Sequence, residues 1–236
     1  MSEPTERKYP YEPKAPAVLA VDVGGSHVKT VLNGIDERRR FVSGPKLTAQ
    51  QMVDGVLEMT TDLEYTHVSV GCPAPVKDDK PVHDPVNLGK GWAGFDFGKA
   101  FGKPTKAIND ATMQALGSYQ GGRMLFLGLG TGLGSTMILD GVLAPMELGH
   151  LAYKNHVWEH YVGEAAQQRL GLKRWEKMVL FAIDEFTKAL EPDYVVIGGG
   201  NARALHELPP HCRLGRNEDA FLGGFRLWVP GQGQKA

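Results

Sequence analysis

The chain of 236 residues holds only two cysteines, Cys72 and Cys212, far apart in sequence. A disulfide framework needs several paired cysteines and a structural zinc site needs ligands at short spacing, so neither is expected. Charge of one sign is also missing, because 26 Lys and Arg offset 27 Asp and Glu for a net charge of −1. Such a balance gives no electrostatic footing for nucleic acid, and the run Arg38-Arg39-Arg40 reads as a solvated face after a turn. Long apolar runs are absent too: no window approaches the ~20 residues that span a bilayer. Residues 1–16, MSEPTERKYPYEPKAP, lack the apolar stretch of a signal peptide and read as a flexible arm. No membrane partner is expected, and the cytoplasm is the default location. With 42% hydrophobic residues, enough remains to bury the core of one large domain or two small ones.

Glycine, by contrast, is plentiful and regularly placed. AVLAVDV, residues 17–23, is a β-rich run ending in Asp22; after Gly24-Gly25 a second strand resumes at Val28 and closes at Asn33-Gly34. That spacing predicts a hairpin, with a third strand near Arg40 to Val42, and not the strand, glycine turn and helix of a dinucleotide fold. A helical pattern covers 48–58, a strand starts near Thr66 and enters a Pro-rich loop at 73–85, and a short helix near Phe95 to Phe101 precedes a strand ending at Asn109. MLFLGLGTGLGSTMILDGVLAP, residues 124–145, then repeats the opening theme of a meander broken by glycines after its first strand. The repetition suggests an internal duplication with a cleft between its halves. From about Val157 the chain reads as helical. Trp175, Met178, Val179, Ala182, Phe186 and Leu190 recur there at the spacing of a core-facing stripe. DYVVIGGGNA, residues 193–202, predicts a buried strand, a glycine turn and the start of a helix, and a last amphipathic segment runs from Glu218 to Trp228.

Two glycine turns at equivalent positions of a duplicated fold point to phosphate. Gly24, Gly25 and Ser26, with the Lys29 amine nearby, allow backbone N–H groups to approach an anion closely, and Gly130, Thr131 and Gly132 offer the same device from the other half. Asp22 at the strand end suits a hydrated Mg²⁺, which bridges phosphates through one or two carboxylates. In AINDATMQALG, residues 107–117, Asn109 and Asp110 stand where a strand passes into a helix. From the residues alone, Asp110 is either a helix cap or a catalytic base.

Five ordered blocks, Asp22-Val23-Gly24-Gly25-Ser26, Asn109-Asp110-Ala111, Gly130-Thr131-Gly132-Leu133-Gly134, Glu147-Leu148-Gly149-His150 and Gly198-Gly199-Gly200-Asn201, resemble the signature of the ROK sugar kinases. The resemblance implies an α/β chain with the two-domain actin-like fold (ribonuclease H-like, hexokinase and Hsp70 superfamily) and a central cleft. Its expected division is 17–117 and 118–236, with the last helix packing back on the first domain. LAYKNHVWEHYVG, residues 151–163, lacks the cysteine cluster of zinc-bearing members, so no zinc site is expected. The short chain, the Gly24-Gly25-Ser26 turn with Lys29, and Lys173-Arg174-Trp175 are similar to the polyphosphate glucokinase branch. The implied activity is phosphoryl transfer from polyphosphate or ATP, with Mg²⁺, to the 6-hydroxyl of glucose or a related hexose. By the same resemblance Asp110 is the general base, and Asn87, Asn109, Glu147, His150 and Glu159 hold the sugar. Gly198, Gly199 and Gly200 match the block that receives the adenosine of ATP, and a homodimer is implied. A sugar-sensing regulator of the same family would need an N-terminal DNA-binding unit, for which sixteen residues are too few.

Overall fold

The computed structural model describes residues 16–216, 218–232 and 234–235. The expected arm, apart from Pro16, lies outside the described residues. The first half begins with β1 (Val18–Val23), β2 (His27–Leu32) and β3 (Arg39–Val42), followed by α1 (Ala49–Met59) and β4 (His67–Cys72). It continues through a small hairpin of β5 (Val76–Lys77) and β6 (Lys80–Pro81) to α2 (Phe97–Phe101), β7 (Thr105–Asn109) and α3 (Asp110–Ser118). The five long strands form one sheet in the order β3-β2-β1-β4-β7, antiparallel through the meander and parallel across β1, β4 and β7. Thr48 opens α1 with a reciprocal capping box: its hydroxyl accepts from Gln51 N while the Gln51 side chain accepts from Thr48 N.

The second half repeats this plan. It consists of β8 (Arg123–Leu129), β9 (Leu133–Leu139), β10 (Val142–Met146), the small pair β11 (Ala152–Tyr153) and β12 (His156–Val157), α4 (Glu159–Val162), α5 (Glu164–Leu170), α6 (Leu172–Leu190), β13 (Tyr194–Gly198), β14 (Cys212–Leu214), α7 (Asp219–Arg226) and β15 (Gln234–Lys235). Its sheet runs β14-β13-β8-β9-β10-β15, which is the first sheet's order with one strand added at the meander edge. The duplication expected from the glycine pattern is thus present in the topology. Val157 itself is strand, and the helical region starts two residues later. The helix expected after Gly200 is a single 3-10 turn, Ala202–Ala204. Leu208-Pro209-Pro210 follows closely, and a residue preceding proline is pushed out of the helical region, so no helix has room to grow.

Two helices tie the halves together. Helix α3 leaves the first sheet and buries Met113 and Leu116 with Met124, Phe126 and Ile138 of the second. Helix α7 returns from the second half, and Phe221 packs on Ala20 and Val31 of the first sheet. Where they cross, Gly117 lies against the backbone of Asp219 and Gly223 against that of Met113, so close that a Cβ on either glycine would fall inside the other helix's backbone. Arg226 Nη1 then donates to the Leu116, Gly117 and Tyr119 carbonyls at 2.7, 3.0 and 2.9 Å, satisfying the end of α3. Of the expected stripe on α6, Trp175, Val179, Ala182 and Phe186 are buried and Met178 and Leu190 partly so, and Ile183 is buried beside them.

Candidate active site

Both glycine turns and the strand-to-helix junction open into one cleft of about 520 Å³. From the first half come Asp22, Gly24, Gly25, Lys29, Asn87, Asn109 and Asp110; from the second come Gly130, Thr131, Gly132, Glu147, Glu159, Gly199 and Gly200. Fourteen residues expected from the sequence therefore share a wall. Ser26 sits exposed at the hairpin tip and is not among the lining residues. Gly198 is also outside the lining: it ends β13 over Phe126, where a Cβ would strike the ring, so this glycine serves packing. His150 stands at the rim, with Nδ1 3.5 Å from Glu147 and Nε2 3.8 Å from Glu159. It bridges the two carboxylates from outside the wall.

The junction separates the two roles open at Asp110. Asn109 is the N-cap, its side-chain oxygen accepting from Thr112 N at 3.2 Å. Asp110 is the first helical residue, and its Oδ1 accepts from Ala111 N at 2.8 Å. The cap is thus supplied by its neighbour, and the Asp110 carboxyl faces the cleft. Burial, and then the negative charges of Asp22 and Glu147, push its pKa up to about 7, against the pull of the Ala111 N–H. A carboxyl poised there at neutral pH is a proton acceptor in waiting.

Asp22 and Lys29 face each other across the β1–β2 hairpin, and Lys29 Nζ donates to Asp22 Oδ2 at 3.2 Å. Cys72 ends β4, fully buried, and burial beside the Asp110 charge raises its thiol pKa, which makes it a packing residue. Several lining residues carried no recognised signal. Gln114 stands one helical turn after Asp110 on the same face of α3, so its i+4 spacing alone was a usable cue. Ala220, by contrast, arrives from α7, and nothing local in the sequence marks it as part of the cleft. Glycines also shape the second wall. Gly199 has a φ of 83° and touches Leu129, where any Cβ would overlap the backbone, and Gly163 packs against Thr131 O and Gly132 Cα.

A model of the ROK family matches residues 18–164. The chain belongs to the ROK family. Its fold is accordingly the two-domain actin-like one of the ROK sugar kinases, as the motif blocks imply. Among curated relatives, a polyphosphate glucokinase of Mycobacterium tuberculosis is 25% identical over 214 residues, covering 81% of this chain and 80% of that one. A polyphosphate glucokinase of Mycobacterium leprae is 24% identical over 207 residues, covering 78% of this chain and 64% of that one. Among solved structures, an inorganic polyphosphate/ATP-glucomannokinase from Arthrobacter sp. strain KM superposes with a TM-score of 0.78 at 24% identity, over 90% of this chain and 97% of that one. A ROK family glucokinase from Streptomyces griseus, solved with glucose and AMPPNP, gives 0.70 at 17% identity over 90% and 99%. Both structures share the architecture of this chain. Among the described residues, no helix is long and apolar enough to cross a membrane.

Proposed function

We propose that this ROK protein transfers a phosphoryl group from inorganic polyphosphate, with ATP as a second donor, to the 6-hydroxyl of glucose or a close relative. One observation carries the reading: Asp110 lies between two glycine turns at the head of α3, with its pKa lifted to about 7. Phosphoryl transfer asks the protein mainly to position the reactants and stabilise charge, so one well-placed base and a cradle of N–H donors suffice. Asp110 takes the proton of the attacking hydroxyl. Asn87, Asn109, Glu147 and Glu159 hold the remaining hydroxyls, with His150 fixing the two glutamates from the rim. The turns of Gly24 and Gly25 and of Gly130, Thr131 and Gly132 receive the donor phosphates; the Gly24 and Gly130 N–H groups close those turns on His27 O and Gly132 O, which leaves the other N–H groups for the donor, and Lys29 adds charge. The same reading takes 17–117 and 118–236 as the two domains, with α7 returning to the first, and a homodimer as the assembly.

Mg²⁺ fits this cleft as an ion carried in with the donor. Among the described residues no group of three or more His, Cys, Asp or Glu is gathered to hold a metal, so the Asp22 carboxylate would share the ion with phosphate oxygens. When bound, Mg²⁺ neutralises the charge of the transferred group. Lys29 is the residue that balances Asp22 in the protein itself.

Gly199 and Gly200 on the cleft wall favour a second reading in which ATP is the main donor. Glucose phosphorylation measured with long-chain polyphosphate or ATP as sole donor, each with Mg²⁺, separates the two. Turnover with polyphosphate as sole donor, and slower turnover with ATP, is the expected result. Turnover with ATP alone sinks the donor assignment, and no turnover with either on glucose, mannose or glucosamine sinks the kinase reading.

Glu159 has its own test. A Cβ on Gly132 would lie 2.5 Å from Glu159 Oε2, the free end of a flexible side chain, so Gly132→Ala folds but displaces that carboxylate. The glucose KM is expected to rise about fivefold, roughly one hydrogen bond. An unchanged KM removes Glu159 from the sugar site.

A further inference from the structure

A turn that cradles phosphate has to aim N–H groups at it, and glycine makes the aim insecure. Turning over the peptide between Gly130 and Thr131 rotates ψ of Gly130, which no Cβ restricts, together with φ of Thr131, and exchanges an N–H facing the cleft for a carbonyl oxygen. A carbonyl there would repel the donor. Two groups outside the turn oppose that rotation. Gly130 O accepts from Glu164 N at 2.9 Å and from Asn201 Nδ2 at 3.3 Å, which fills both lone-pair directions of the oxygen. Asn201 is itself seated on the end of β8, its own N–H donating to Leu129 O at 3.0 Å. In a trans peptide the C=O and the following N–H point in opposite directions. With its oxygen held towards α5 and Asn201, this peptide turns the Thr131 N–H the other way, and Thr131 lines the cleft. Among the described residues that N–H has no hydrogen-bond partner.

We infer that Asn201 is a positioning residue for the phosphoryl donor: its side-chain amide locks the Gly130–Thr131 peptide so that the Thr131 N–H faces the incoming phosphate. The inference rests on the reading of this cleft as a donor site. The glycine block ending at Asn201 then has a role beyond receiving a nucleotide, because it braces the phosphate turn of the neighbouring strand whichever donor is used. Glu164 contributes a backbone N–H, which only a change to proline would remove, so Asn201 is the half of the lock that a side-chain substitution tests.

Two variants test it. Asn201→Ala deletes the donor, and Asn201→Asp keeps the shape while facing a carboxylate oxygen to the Gly130 carbonyl. Calorimetric titration with tripolyphosphate and Mg²⁺ is expected to show about tenfold weaker binding in both, with the larger loss in the Asp variant, the size of one hydrogen bond and its repulsive inverse. Glucose affinity and the melting temperature are expected to stay at the wild-type values, which a general loosening of the fold would not allow. The ¹⁵N–¹H resonance of the Thr131 amide, recorded without ligand, should shift in both variants and exchange faster with solvent. Unchanged tripolyphosphate affinity, or an equal loss of glucose affinity, overturns the inference. If the wild type binds no tripolyphosphate and phosphorylates no sugar, the proposed function falls. The Thr131 resonance then decides the lock by itself, and an unshifted resonance in both variants overturns it.

Discussion

Replacing Asp110 with Asn is expected to lower turnover by about 10²–10⁴-fold, the usual contribution of a general base, while glucose still binds. The amide keeps an oxygen in place for the Ala111 N–H that Asp110 Oδ1 now accepts, so the head of α3 is preserved and only proton acceptance is lost. Rapid-mix turnover and a glucose titration on the same preparation separate the effects; turnover within tenfold of wild type removes Asp110 from the role of base. The pH profile adds a second readout. Because the base must be ionised and its pKa is lifted to about 7, kcat/KM should fall with unit slope below about pH 7, and the residual activity of Asp110→Asn should show no such limb. Stability moves in the opposite sense. An unfolded Asp loses its proton near pH 4 whereas the folded one keeps it to about pH 7, so the folded state holds the extra proton across that window. Stability therefore declines as pH rises through it, and above pH 7 the wild type carries the whole cost of the buried charge. Asp110→Asn lacks that charge and is expected to be more stable than wild type at pH 8 by about 1–3 kcal/mol, with the difference vanishing below pH 4. An Asn variant that is less stable at pH 8 contradicts the strained carboxylate.

Alanine at Gly117 or Gly223 is expected to cause the largest loss of stability in the chain. Helices packed through ordinary side chains keep their axes 8–10 Å apart. At this crossing the two glycines let backbone meet backbone, and a methyl at either position collides with a carbonyl of the partner helix that has no rotamer to change. Overpacking of this kind costs about 1–3 kcal/mol where side chains can yield, and more where the obstacle is main chain. We expect a loss of about 3 kcal/mol or more for each variant, or about 6–12 °C in the thermal midpoint for a chain of this size. The double variant should lose less than the sum, since the first methyl already forces the helices apart. Midpoints within about 2 °C of wild type, below the shift of 1 kcal/mol, would mean the helices slide without strain.

How much of this could be read in the sequence depended on how local its cause was. The two meanders were legible because strand alternation, Asn33-Gly34 and Asp140-Gly141 lie within a few residues of what they determine. The positions of Asp22, Asp110 and the two glycine turns on the cleft were legible for the same reason, each standing at or next to the end of its own strand. Asn109 and Asp110 are both good caps, and only their placement assigns the cap to Asn109 and the open carboxyl to Asp110. Gly198 resembles its two neighbours in sequence, yet Phe126, in a different strand and far back in the chain, turns it to packing. The hold of Asn201 on Gly130 and the meeting of Gly117 with Asp219 join segments far apart in the chain, and neither residue type announces its partner.

The return of α7 also orders events during synthesis. Ala20, Val31 and Ser69 of the first sheet are completed by Phe221 and Gly224, which the ribosome adds about 150–200 residues later. Proteins commonly fold domain by domain as they emerge, the leading part first. Here the leading sheet emerges with one face uncovered and waits for nearly the whole chain, so the nascent polypeptide carries an apolar surface until its last helix is free to cover it.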